Sequence, residues 1–375
     1  MVLSWSAASG WQSVDSPVPG AQIVLVFGNR EWFSDPGPIE ALRRLHPTAD
    51  VMGCSTGGQI IGDDVSDDCA IALVIEFHKS RVRVAKVDTL LEPSARTAGE
   101  ALARSLAAPD LRAIIVVSDG LNVNATRMVE GMRAAASVPI MGGLAGDGPH
   151  FGRTVVHVNG VSRDHLIVAA GLYGDALQIG HGSSGGWSVF GPRRQITRSD
   201  ANVLHELDGR SALELYRTYL GEEAEGLPGT GLLYPLMITD PDDANRTLVR
   251  TLLSIDDVSG SITFAGDMPE GWRVQLMRGY FDRLARASGE AASQARKGLA
   301  AGNGDSAALL ISCIGRRILM GDSVISELIA VREELGPYIK VAGFYSYGEI
   351  APYGRSACSE LHNQTMTVTV LSESA

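Results

Sequence analysis

The chain has 375 residues, 45% of them apolar and only 6% aromatic, which is long enough for two or three packed units around a sizeable core. Its 43 glycines exceed the usual share of about 7% without any G-X-Y period or Ser/Gly tract, so they belong to ordered turns rather than to collagen or a linker. A net charge of −11 opposes attraction to nucleic acid or an anionic membrane, and no apolar run approaches the ~20 residues of a membrane helix.

In chain order, residues 1–20 read as an N-terminal extension, and Met1–Ser13 lacks the basic-then-apolar pattern of a secretory leader. Gln22–Phe27 is a buried strand, Pro38–Leu45 a short helix and Asp50–Met52 a second strand. The glycine-rich stretch Gly53-Cys54-Ser55-Thr56-Gly57-Gly58-Gln59-Ile60 follows, and Ala70–Phe77 closes the unit. The same order returns at Arg112–Val117, Ala125–Ala136 with Asn124 as N-cap, and Pro139–Met141. Gly142–Gly148 is the matching stretch, and Leu166–Leu172 closes it.

Residues 177–300 are less regular. Gly180–Gly185 spells G-x-G-x-x-G, with Glu206 at the distance of a ribose partner, but Trp187–Pro192 does not begin a helix, so the phosphate-binding context is missing. His181 is expected in an open loop. Leu207-Asp208-Gly209 is a turn before an amphipathic helix at Arg210–Leu220. Leu232–Ile238, Thr251–Ile255, Ser261–Ala265 and Arg273–Met277 are short strands. Gly279–Lys297 reads as a solvated helix and Gly298–Asp305 as a flexible connector. A third β-α-β unit then spans Ser306–Ser312, Asp322–Leu335 (capped by Asp322 or Ser323) and Tyr338–Ala342. Gly343–Ile350 is its glycine-started stretch, and Thr365–Leu371 alternates like a half-exposed strand.

These elements predict an α/β fold of repeated β-α-β units in mixed sheets, each with an added antiparallel strand, as two related packed halves. Ligands of such sheets sit beyond the strands' carboxyl ends, where the glycine-rich stretches lie. Ser55, Thr56 and Gly57 offer hydroxyls and backbone donors to an anionic group. Asp147 and Glu349, with Gln59 in the matching place and Tyr347 close by, suit a cationic amine or hydroxyls. Loop capping is the alternative use of these acids. His362 and Asn363 enter the last strand where the chain should pass Glu349, either as part of a zwitterion site or as a clamp between loops. Cys54 is a nucleophile only if a base reaches it, and otherwise a small buried side chain. Cys54, Cys69, Cys313 and Cys358 have no C-x-x-C spacing, which argues against zinc and against a disulfide framework.

The stretches V-M-G-C-S-T-G-G-Q-I at 51–60, L-D-G-R-S-A-L-E-L-Y at 207–216, G-F-Y-S-Y-G-E-I-A-P at 343–352 and L-H-N-Q-T-M-T at 361–367 resemble the FIST family, a two-part bacterial sensory domain. The resemblance divides the chain into an N-terminal part over 21–197 and a C-terminal part over 198–371. It implies a cytoplasmic signal-transduction sensor, without a cofactor, for a small amino-acid-like ligand. Such a sensor would signal to a separate protein, for example a histidine kinase or a cyclic-di-nucleotide enzyme. It also raises a haem-bound nitric-oxide sensor, for which His181 is the candidate axial ligand. A third alternative, from the residues themselves, is an enzyme of small substrates using Cys54 or Glu349. A sensor rather than an enzyme is the expectation, because neither a nucleophile–base set nor a metal cluster accompanies the acids.

Overall fold

Apolar runs buried on both faces make parallel strands, and three such pairs organise this chain. The fold comes from a computed structural model that describes residues 1–13, 15, 18–299, 306–352 and 358–374. In the first unit, strand Ile23–Gly28 leads through α1 (Pro36–Leu45) to the parallel strand Asp50–Ser55, and Ala70–Ile75 returns antiparallel beside Ile23–Gly28. Asp35 caps α1 by accepting from the Gly37 N–H at 2.9 Å, with Pro36 in the first turn. Residues 1–20 are not merely an extension: Val2–Ser6 pairs with Ala70–Ile75 and with Gly10–Gln12 in the same sheet.

The second unit begins with strand Arg81–Asp88 and α2 (Ala95–Leu106), which is held by a Ser94/Thr97 capping box. Strand Leu111–Ser118, α3 (Ala125–Ala135, capped by Asn124 as its sequence predicts) and the parallel strand Ile140–Leu144 follow, closed by Leu166–Tyr173. Strand Leu177–Ser184 then leads into an inserted β domain, residues 188–278, with α4 (Ala212–Leu220) and a core of its own around Ile196, Leu213, Tyr216 and Phe264. Its strands Ser188–Asp200, Val203–Leu207 and Thr247–Arg250 escape the sequence reading. The longest of them, Ser188–Asp200, is rich in polar residues and largely solvated.

The G-x-G-x-x-G segment is not a loop. Gly180 and Gly182 lie inside strand Leu177–Ser184, pressed against α5 (Phe281–Lys297) so closely that a Cβ would fall 1.8 Å from the Ala295 carbonyl and 2.0 Å from that of Ala291. Nor is α5 a solvated helix. Ala287, Ser288, Gly289, Ala291, Ala292 and Ala295 form a buried face of small residues, which lets the helix sit tightly on the sheet. The connector placed at Gly298–Asp305 lies mostly outside the described residues. In the third unit, strand Ala307–Cys313 runs straight into α6 (Ile314–Met320). A 3-10 turn, Gly321–Val324, joins it to α7 (Ile325–Leu335), so Asp322 and Ser323 are turn residues and do not cap the helix. Strand Lys340–Ser346 is parallel to Ala307–Cys313, and Met366–Glu373 closes the unit. That last strand is buried over nearly its whole length, not half-exposed, because α5 covers one side and the central core the other.

Each unit also lends a short strand to another. Gln59–Ile61 pairs with Lys340–Ser346, Glu349–Pro352 with Ile140–Leu144, and Val156–Val158 with Asp50–Ser55, all antiparallel. The loan passes from the first unit to the third, from the third to the second and from the second to the first. A closed pseudo-threefold cycle results. In each pairing the borrowed strand lies opposite an equivalent glycine: Ile60 faces Gly343, Ile350 faces Gly142 and His157 faces Gly53. The inner faces of the three sheets share one core, with Phe27 stacked on Phe344 at 4.5 Å between centroids, and the helices lie outside.

Candidate functional site

The cycle brings the three glycine-rich stretches together in a ring at the carboxyl ends of the strands. The Gly57 N–H donates to the Tyr345 carbonyl (2.7 Å), that of Gly146 to Ser55 (2.8 Å) and that of Tyr347 to Leu144 (3.4 Å). A second set runs the other way: Tyr345 to Gly58 (2.9 Å), Leu144 to Gly348 (2.9 Å) and Ser55 to Val155 (2.8 Å). All three stretches therefore meet, joined by backbone hydrogen bonds that satisfy the six amides named.

A cavity of about 510 Å³ opens on one side of this ring. Thr56, Gly57, Gly58 and Gln59 of the first stretch line it together with Asp147 and Gly148 of the second, and α6 supplies Ile314 and Arg317. Its charges are mixed. Arg317 pairs with Asp67 at 2.6 Å and also donates to the Gly57 carbonyl, while Arg30 reaches Glu31 at 2.7 Å and Asp147 at 3.4 Å. Asp68 and His150 complete the rim. Thr56 and Gln59 are hydrogen-bonded to each other at 2.7 Å, so Thr56 is oriented before any ligand arrives.

Of the residues singled out in the sequence, Thr56, Gly57, Gln59 and Asp147 line this cavity. The Asp147 carboxylate also organises its own loop, accepting from the N–H groups of Gly152 (3.0 Å) and Arg153 (2.8 Å) and from the Tyr347 hydroxyl. Tyr347 stacks on Phe151 at 4.5 Å and lines a smaller, separate cavity of about 270 Å³. Ser55 is turned inward as a latch, its Oγ accepting from the Val155 N–H at 2.8 Å. Cys54 is fully buried in the central core, and burial pushes its thiol well up, which removes the thiolate a nucleophile needs. Arg30, Asp67, Asp68 and Arg317 went unnoticed in the sequence. Arg30, Asp67 and Asp68 stand outside the three glycine-rich stretches, and Arg317 lies on a helix expected to start later.

Glu349, His362 and Asn363 form a separate, fully enclosed group. Glu349 and His362 are direct partners in the sheet register, so the last segment does pass Glu349 as its position predicts. The Glu349 carboxylate accepts from Ser346 Oγ (2.7 Å), the Thr365 N–H (3.1 Å) and Thr365 Oγ1 (2.9 Å). Burial outweighs these bonds and raises its pKa to about 8. Burial likewise lowers His362 to about 4, with its Nε2 3.2 Å from the Ala351 carbonyl. Asn363 is buried in the turn that follows.

A pH dependence follows from Glu349. Its folded pKa of about 8 lies above the ordinary 4.5, so the unfolded chain holds fewer protons between these values. The stability due to this group is complete below about pH 4.5 and falls as pH rises through about 8. Urea unfolding of Glu349→Gln and wild type should show the variant gaining on wild type from about pH 5 to about pH 8, by at most ~1.4 kcal/mol per pH unit. A constant difference across that range would contradict the assignment.

His181 does not fit an axial haem ligand. Its half-buried ring stands within an eight-residue strand, between two glycines pressed on α5, and lines neither of the cavities at the ring. Among the described residues no group of three or more His, Cys, Asp or Glu could hold a metal ion. No helix among them is long and apolar enough to cross a membrane.

Family models described as the FIST N domain and the FIST C domain match residues 22–210 and 212–352. An uncharacterised protein of Methanocaldococcus jannaschii is 23% identical over 196 residues, which is 49% of this chain and 38% of that protein's length. Among solved structures, a cyanuric acid hydrolase from A. caulinodans aligns over 79% of this chain and 100% of its own at 13% identity. Its TM-score of 0.18 is too low to carry an argument.

Proposed function

Because the chain belongs to the FIST family of sensory domains in signal transduction, we propose that the ring cavity binds a small amino-acid-like zwitterion and that its occupancy is passed to a separate protein. The observation that carries this reading is the charge pattern of the cavity, with Arg30 and Arg317 facing a volume also bounded by Asp67, Asp68 and Glu31. A zwitterion can exchange the Arg317–Asp67 pair for its own carboxylate and ammonium. A partly exposed ion pair of this kind is worth at most about 1 kcal/mol, so a ligand can open it.

Transmission would run through α6. Arg317 faces the cavity, whereas its neighbour Arg316 points inward and donates to the Gly185 carbonyl (2.6 Å). α6 also packs on the 3-10 segment Gly229–Leu233 of the inserted domain, and Gln364 Nε2 donates to the Leu232 carbonyl there at 3.0 Å. Motion of α6 would thus reach the inserted domain, the natural face for a histidine kinase or a cyclic-di-nucleotide enzyme in the cytoplasm. The buried Cys54 and the enclosed Glu349 favour a sensor over an enzyme that uses either residue.

Isothermal titration with the common amino acids is the test. At least one should bind, and Arg317→Gln should weaken it roughly tenfold to a hundredfold, the worth of a charge-assisted hydrogen bond. Heat from none of them, or equal binding by the variant, would sink the reading.

A further inference from the structure

A further cavity, of about 420 Å³, shares no lining residue with the ring cavity. It lies where the inserted domain meets α3 and strand Ser359–His362. Its lining includes Arg250, the last residue of strand Thr247–Arg250, which is only 2% exposed. Arg250 Nε donates to the Asp267 carbonyl (3.0 Å), and Nη1 donates to the carbonyls of Val249 (3.1 Å) and Leu361 (3.2 Å). Among the described residues it forms no ion pair, and its Nη2 makes no hydrogen bond.

The acids around it are committed elsewhere. Glu360 accepts from Arg246 at 2.7 Å and lies 3.6 Å from Arg133, and Asp267 is held by Arg127 at 2.8 Å and Asn124 at 3.0 Å. Burial lowers the Arg250 pKa to about 10 even though Glu360 and Asp267 act on it through space, so it stays charged at neutral pH. A buried guanidinium without a paired anion is costly, and an anion seated on its open edge would offset that cost.

The rest of the lining says which anion. Ile238, Leu248, Met268, Pro269 and Trp272 give an apolar wall, suited to a ligand with an apolar body. Glu130, Asp267, Glu270 and Glu360 border the cavity against Arg127, Arg133, Arg246 and Arg250, so the lining is balanced in charge and suits one negative charge on Arg250 better than a dianion such as phosphate. We infer that this cavity is a binding site for a small monocarboxylate with a flat apolar body, its carboxylate on Arg250 Nη2 and its body against Trp272 and Leu248. The opposite wall of the cavity is α3, through Thr126, Val129 and Arg133, so a ligand that fills it would brace the inserted domain against that helix.

The test titrates the full chain with benzoate and phenylacetate, and with phenylacetamide as the same body without charge, reading heat and Trp272 fluorescence against a Trp272→Phe control. At least one carboxylate should bind, the amide at least tenfold more weakly, and Arg250→Lys should lose at least tenfold. If Arg250→Lys does not fold, Thr126→Trp narrows the cavity from the first turn of α3 with Arg250 in place, and it should lose binding equally. Absence of binding by both carboxylates at millimolar concentration, or binding unchanged in the variants, overturns the inference. Amino-acid titrations report the ring cavity separately, so either reading can fail without the other.

Discussion

Gly142→Ala is expected to cost about 2 to 6 kcal/mol or to prevent folding, as the sum of two effects. Gly142 has φ +149°, a backbone conformation that L side chains rarely adopt, and such strain costs about 1 to 3 kcal/mol. A Cβ there would also fall 1.8 Å from the Val116 carbonyl of the neighbouring parallel strand. That obstacle is backbone, which cannot rotate aside, so the strands themselves must part, at a further ~1 to 3 kcal/mol. They would part where the borrowed strand Glu349–Pro352 docks. Gly271→Ala is the control: its φ is +84° but nothing lies within 4 Å of the added atom, so only the strain term remains. Urea unfolding of both variants decides the matter, and a Gly142→Ala protein as stable as Gly271→Ala would refute the account of close strand approach.

Glu327→Gln should be the other severe change, at about 3 to 5 kcal/mol. Arg316 and Glu327 are both fully buried and joined at 2.8 Å. Around them Ser312 and Tyr345 donate to the carboxylate, while the guanidinium also reaches Ser288 and the Leu284 carbonyl. Neutralising the acid leaves a cation in the interior with no counter-charge. The double variant Arg316→Met/Glu327→Leu removes both charges and should be destabilised by less than the sum of the two single changes, by at least about 2 kcal/mol. Strict additivity in that cycle would show the pair to be energetically independent. Because Tyr345 belongs to the ring and Arg316 adjoins Arg317, the same variants should also disturb the ring cavity.

How much of this could be read in the sequence depends on the range of the interaction. The three β-α-β units were legible because Ile23–Gly28, Leu111–Ser118 and Ala307–Cys313 are apolar runs, each followed by a helix and a second strand ending near glycine. Thr56, Gly57 and Asp147 were found for the same reason. The exchange of strands was not legible, because Gln59–Ile61 and Val156–Val158 are three residues each and pair with partners far along the chain. No local pattern records that. The buried face of α5 escaped because alanine, serine and glycine carry little hydropathy between the helix's arginines. Its glycine partners in strand Leu177–Ser184 looked like turn residues for the related reason that a close helix contact leaves no local signature. Arg30, Asp67 and Arg317 meet only through the cycle, so their joint function has no spacing to betray it.

The cycle of borrowed strands also sets an order of assembly. The first sheet draws all its strands from residues before about 165 and can close early on the ribosome. The second sheet leaves strand Ile140–Leu144 with an open side until residues 349–352 emerge, and the hairpin Gln59–Ser66 has no sheet to join until 340–346 does. A nascent chain must therefore carry unpaired strand edges through the synthesis of roughly 200 further residues, a state prone to association with other chains. Cutting the polypeptide between the two matched family segments would make that interim state permanent: the N-terminal fragment would complete its first sheet but not its second, and the C-terminal fragment would lack the hairpin Gln59–Ser66 that extends the third.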